Sequence, residues 1–208
     1  AESFGININD ALTATIQNVI VDDSEGGVNI IGSQAVTVED SSITNNVSIL
    51  NSGDAYSGLK IQNIGLNTSS TTTATVKNTI ISNNVSSVSD SGKTGISVDT
   101  VESILDDNDQ KVAGHNVIVQ NVTVSNNSAT QYSGVQIVST GGPTSTVATS
   151  LKVDATTVAN NTVTVKTPQT VVLGQVHEQL ATGIFLAGKL ASEQNFTNVT
   201  VANNTINN

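Results

Sequence analysis

Two landmarks alternate six times in the same order along the chain, and this alternation limits the folds it can adopt more than any other feature. The first is Gly-apolar-x-apolar: GINI at Gly5, GVNI at Gly27, GLKI at Gly58, GISV at Gly95, GVQI at Gly134 and GIFL at Gly183. The second is an apolar residue with Asn two positions on, a further apolar residue at five, and Asn-Asn at seven and eight. VQNVTVSNN from Val119 is its clearest copy; VKNTIISNN from Val76 and FTNVTVANN from Phe196 are close to it. VDATTVANN from Val153, VEDSSITNN from Val38 and IQNVIVDDS from Ile16 keep most of it. Gly-to-Gly spacings are 22, 31, 37, 39 and 49 residues, yet the second motif never changes length. Rigid segments separated by elastic ones are what a solenoid requires, because stacked strands must stay in register while loops bulge outward.

The spacing therefore predicts an all-β parallel β-helix of about six coils with variable loop insertions. It forms a single domain over residues 1–208, with coils starting near residues 5, 27, 58, 95, 134 and 183. Each coil is expected to hold three short strands: the Gly segment, the stretch ending at the first apolar residue of the motif, and the motif's own centre. Asn18, Asp40, Asn78, Asn121 and Asn198 fall at one corner. The Asn-Asn pairs, which include Asn46, Asn84, Asn127, Asn161 and Asn204, fall at another. Asn suits a corner because it tolerates left-handed backbone and bonds to nearby peptide groups, and stacked Asn can form an amide ladder.

Composition agrees. Asn, Ser and Thr supply 77 of 208 residues, and Val plus Ile (46) outnumber Leu (10). β-branched residues favour strands, and Asn and Ser favour turns. The chain has no Cys, Met, Trp or Arg; its seven cations are all Lys, and its net charge is −10. There is thus no bidentate Arg clamp for phosphate and no basic face for nucleic acid. Thiolate chemistry and Cys-based zinc sites are excluded. No apolar run approaches the ~18 residues of a membrane span, so membrane insertion is not expected. A chain beginning at Ala1 without Met reads as a processed, secreted protein or a fragment, which points to an extracellular or cell-surface location.

Phrases such as NVTVSNN and TVANNTINN give the chain a resemblance to the pectate-lyase-like superfamily of right-handed parallel β-helices, whose Asn ladders line an inner corner. The resemblance covers essentially the whole chain and implies the fold; the superfamily includes lyases, hydrolases, adhesins and inert spacers, so it does not imply one function. A weaker resemblance is to Fap-type functional amyloids. It rests on GIFLAG at Gly183 to Gly188 followed by Gln194, Asn195 and Asn198, with two extra residues before the Gln/Asn cluster. That likeness implies an extracellular fibre.

Catalysis is not expected. Lyase chemistry, as the resemblance implies it, needs Ca²⁺ and a basic side chain, usually Arg. Glycoside hydrolysis needs two carboxylates across a cleft, and sugar platforms are scarce with two Tyr, three Phe and no Trp. No cofactor is expected, and one metal site is considered: Asp106, Asp107 and Asp109, where clustered oxygens suit Ca²⁺. The competing reading, a solvated acidic loop, is favoured because no EF-hand or RTX spacing accompanies the run. His115 and His177 read as surface residues of inserts. Asn67 is the candidate for glycosylation among nine Asn-x-Ser/Thr sites.

The function expected is an extracellular structural protein. It would be a β-solenoid subunit of a cell-surface filament or biofilm matrix fibre, its partner another copy of itself through end-to-end or strand-donation contacts. The alternative is an adhesin segment that binds surface glycans through the long inserts. The insert between Asn161 and Gly183, with its helix-like GQVHEQLA, is a candidate internal cap.

Overall fold

The computed structural model describes residues 4–49, 55–64, 71–87, 92–101, 114–140, 148–165, 182–188 and 190–207, and among them every regular element is a β-strand. The strands form four sheets in which every pair is parallel and every neighbour comes from the next coil. Sheet I contains Ile6–Asn9, Val28–Ile31, Leu59–Ile64, Ile96–Val101, Val135–Thr140 and Ile184–Gly188. Each of these strands starts immediately after one of the six anchor glycines. Sheet II contains Thr13–Gln17, Ala35–Glu39, Thr72–Lys77, His115–Gln120, Thr149–Asp154 and Leu190–Thr197. Sheet III contains the short strands Ile20–Asp22, Ser42–Thr44, Ile80–Ser82, Thr123–Ser125, Thr157–Ala159 and Thr200–Ala202. The chain is an all-β parallel β-helix of six coils.

Three strands per coil holds for the first two coils and is one too few for the third to sixth. A fourth sheet holds Val85–Ser86, Ser128–Ala129, Thr162–Thr164 and Thr205–Asn207, which follow the Asn-Asn pair directly. Its strands are two or three residues long, too short for periodicity to reveal in one sequence.

Register turns alternation into columns. Ile16, Val38, Val76, Val119, Val153 and Phe196 stack through sheet II. Val21, Ile43, Ile81, Val124, Val158 and Val201 stack through sheet III. Up to the fifth coil these columns and the apolar positions of sheet I form one core cluster, which Phe196 and Val201 continue outward. β-branched side chains fill such columns well because their restricted rotamers pack side by side on a pleated surface. Sheet II has one irregularity: Thr149 pairs with Leu190 but Leu151 pairs with Gln194. Between these two pairs the sixth coil has two more residues than the fifth, absorbed as a bulge.

The corners are set by backbone conformation. Asn18, Asp40, Asn78, Asn121, Ala155 and Asn198 at the turn from sheet II to III, and Asp23, Asn45, Asn83, Asn126, Asn160 and Asn203 after sheet III, all have φ between 46° and 57°. Eleven of these twelve are Asn or Asp, the side chains that tolerate this region best; Ala155 is the exception and bears a cost of about 1–2 kcal/mol there. Ala155→Asn should relieve part of that strain and offer an amide to Asn121, as Asn121 Nδ2 does to Asn78 Oδ1 at 3.0 Å. The expected gain is about 1 kcal/mol in urea denaturation; a loss would show that the fifth coil needs the smaller side chain.

Candidate functional site

The polar machinery of the molecule is organised by the Asn-Asn corner, where the two members of each pair do different work. The first is exposed and supplies the left-handed turn. The second turns inward: Asn46, Asn84, Asn127 and Asn161 are buried, and Asn204 continues the column into the sixth coil. Each Oδ1 accepts from the backbone N–H of its counterpart in the preceding coil, at 3.0 Å from Ser24 to Asn46 and from Asn46 to Asn84, and 3.1 Å from Asn84 to Asn127 and from Asn127 to Asn161. Each Nδ2 donates to the Oδ1 of the following coil and to a carbonyl of the coil before, for example Asn127 to Asn161 Oδ1 at 3.0 Å and to Ile81 O at 3.1 Å. At Asn84, Asn127 and Asn161 both lone pairs and both amide hydrogens are used, which is what a buried amide requires. The first coil has Ser24 at this position and so begins the ladder without an amide.

The corner between sheets II and III carries a looser, exposed ladder. Asn78 Nδ2 donates to Asp40 Oδ1 at 2.9 Å, while Asn198 reaches Asp154 at 3.4 Å because Ala155 interrupts the column. The Asn residues expected at the corners thus all lie there, with Asn18, Asn78, Asn121 and Asn198 on the outside and Asn46, Asn84, Asn127 and Asn161 within. Burial closes the glycosylation sequons of Asn46 and Asn84 to a glycan.

Outside sheet I lies a group of residues that the motif frame did not anticipate. Tyr56, Lys93 and Tyr132, each two residues before an anchor glycine, are in register through parallel bridges. Lys93 Nζ lies 5.8 Å from the centroid of the Tyr132 ring, and that ring is 5.7 Å from Phe185 of the next coil. Burial pushes the carboxyl of Asp99 above its usual range; Lys93, Lys60 and the Ser97 hydroxyl act in the opposite direction. Burial, reinforced by Asp99, also raises the Tyr56 phenol well above its ordinary value. The signal was present in the sequence as AYSG at Ala55 and QYSG at Gln131, two nearly identical approaches to the glycine.

His115 is not a surface residue. It opens the sheet II strand of the fourth coil, is buried, and lies with Nδ1 2.6 Å from Thr72 Oγ1, its partner in register. The alternation that buries Val117 and Val119 also buries position 115, and stacking on Thr72 and Thr149 supplies the polar neighbours an imidazole needs.

Among carboxylates, exposed Asp22 is held below the usual range by hydrogen bonds from Thr44 and Asn45, at 2.7 and 2.8 Å. Glu39 pairs with Lys77 and raises its ammonium pKa. No three His, Asp or Glu side chains among the described residues gather to hold a metal. Asp106, Asp107 and Asp109, together with Asn67, His177 and the helix-like stretch, lie outside the described residues.

The sixth coil presents the most unusual surface. Phe196, Val201 and Ile206 belong to inward-facing columns but are 42, 52 and 46% exposed, whereas their partners Val153, Val158 and Val163 in the fifth coil are fully buried. The face joins these side chains to the outer edges of all four sheets. Comparison with known protein families, curated proteins and solved structures gave no match to the chain. The described residues form a parallel β-solenoid whose Asn corners hold neighbouring coils together and whose sixth coil leaves Phe196, Val201 and Ile206 exposed.

Proposed function

We propose that the chain is an extracellular structural protein, a β-solenoid subunit of a cell-surface or matrix fibre that assembles by stacking coils against its exposed sixth-coil face. Kinship with pectate-lyase-like β-helices is proposed with it, on the motif phrases and the inner Asn ladder. The exposure of Phe196, Val201 and Ile206 carries the reading. Large apolar side chains beside open parallel strand edges recruit another strand layer, because association buries the side chains and completes the hydrogen bonds together. A contact between unlike ends does not close on itself and so builds a fibre.

Sedimentation velocity and negative-stain microscopy over a concentration series test the proposal. Rods growing in steps of about 29 Å, six coils at ~4.8 Å, are expected. The double substitution Phe196→Lys and Val201→Lys should leave a monomer with unchanged strand content by circular dichroism. An intact chain that stays monomeric at the highest concentration reached would sink the proposal.

A further inference from the structure

The residue before each anchor glycine forms a column of its own. Ser57, Thr94 and Ser133 occupy it in three successive coils, and all three are buried. Their hydroxyl oxygens have no hydrogen-bond partner within the protein. The backbone fixes them in register: Ser57 N donates to Lys93 O at 3.2 Å, Thr94 N donates to Tyr132 O at 2.8 Å, and the preceding residues pair as parallel bridges.

Three hydroxyls stranded at one register position differ in kind from scattered ones. Successive residues in a parallel ladder are about 4.8 Å apart, too far for one hydroxyl to bond the next, since O–H···O bonds span roughly 2.5–3.0 Å. A single small hydrogen-bonding molecule between two of them reaches both. A buried hydroxyl without a partner carries a desolvation penalty, and ordered water is the usual means by which proteins remove it. Both sides of the column limit its length. Gly26 precedes Ser57 in register and has no hydroxyl, and the hydroxyl of Thr182 beyond Ser133 is not among the orphaned atoms.

We infer that Ser57, Thr94 and Ser133 bind an internal file of two ordered waters, one bridging Ser57 Oγ to Thr94 Oγ1 and the other bridging Thr94 Oγ1 to Ser133 Oγ. The file fastens coils three to five along the side opposite in role to the Asn ladder: the ladder joins coils through its own amides, whereas this column joins them through a bound solvent molecule at each step. Thr94 is the central member, touching both waters.

A crystal structure of the intact chain at a resolution that shows bound solvent, paired with thermal unfolding of Thr94→Val, tests the inference. Two density peaks within hydrogen-bond distance of adjacent hydroxyls are expected. Thr94→Val keeps the side-chain shape, removes the shared hydroxyl, and should lower Tm by about 2–4 °C, the shift that one lost interaction gives in a chain of this size. Absence of both peaks overturns the inference whatever the variant does, so a variant that fails to fold leaves the test intact. A Tm equal to or above that of the parent also overturns it, because removing an orphaned hydroxyl relieves a penalty.

Discussion

Gly95→Ala is expected to cost about 3 kcal/mol or more in equilibrium urea denaturation, a large share of the roughly 5–15 kcal/mol that holds a domain together. Two effects combine. Gly95 has φ +75°, where a Cβ is opposed by the local backbone at a cost of about 1–2 kcal/mol. The added methyl also falls on the carbonyl oxygen of Gly134 in the next coil, and that contact is with backbone, which cannot swing aside. Relief requires the fourth and fifth coils to part, which stretches the bonds from Ile96 N to Gly134 O at 2.9 Å and from Thr94 N to Tyr132 O at 2.8 Å. The proper comparison is Gly114→Ala. Its new methyl would meet only Ala148 O at 3.7 Å, an ordinary contact, so a change within about 0.5 kcal/mol is expected. Equal losses at the two sites would mean that the recurrence of glycine at the anchor position has another cause.

The same geometry accounts for what could be read in the sequence. Gly27, Gly58, Gly95 and Gly134 each face the carbonyl of the glycine one coil on, so none can carry a side chain without moving the stack. That necessity keeps the anchor visible through inserts of any length, and the left-handed corners keep Asn and Asp visible for a related reason. Features decided by coil-to-coil neighbours were harder to see. Position 115 is inward only because its strand begins there, and spacing to the nearest motif does not fix a strand's first residue. The fourth sheet is too short to show a period. In the Asn-Asn pairs both residues have the same identity, so composition could place the corner but not say which amide enters the core.

Asn127→Ala should therefore separate the two members of one pair more sharply than any sequence argument. Loss of Asn127 Oδ1 strips the acceptor from both Asn84 N and Asn84 Nδ2, at 3.1 and 3.0 Å. Loss of Nδ2 strips the donor from Ile81 O and from Asn161 Oδ1. The two orphaned donors on Asn84 are buried, and each costs about 1–3 kcal/mol, so a total of about 2–6 kcal/mol is expected, with Asn161 Oδ1 keeping its bond from the backbone N–H of residue 127. Asn126→Ala, one residue away, removes an exposed side chain and puts Ala at φ 56°, a cost of about 1 kcal/mol. Urea denaturation of the two variants gives the difference, and hydrogen exchange at the Asn84 amide localises it: exchange there should quicken in Asn127→Ala and stay slow in Asn126→Ala. Equal losses in the two variants would assign the corner's stability to the left-handed turn alone. A loss confined to Asn127 would assign it to the ladder, in which each amide bonds the coils on both sides and a break at one rung is felt by three coils.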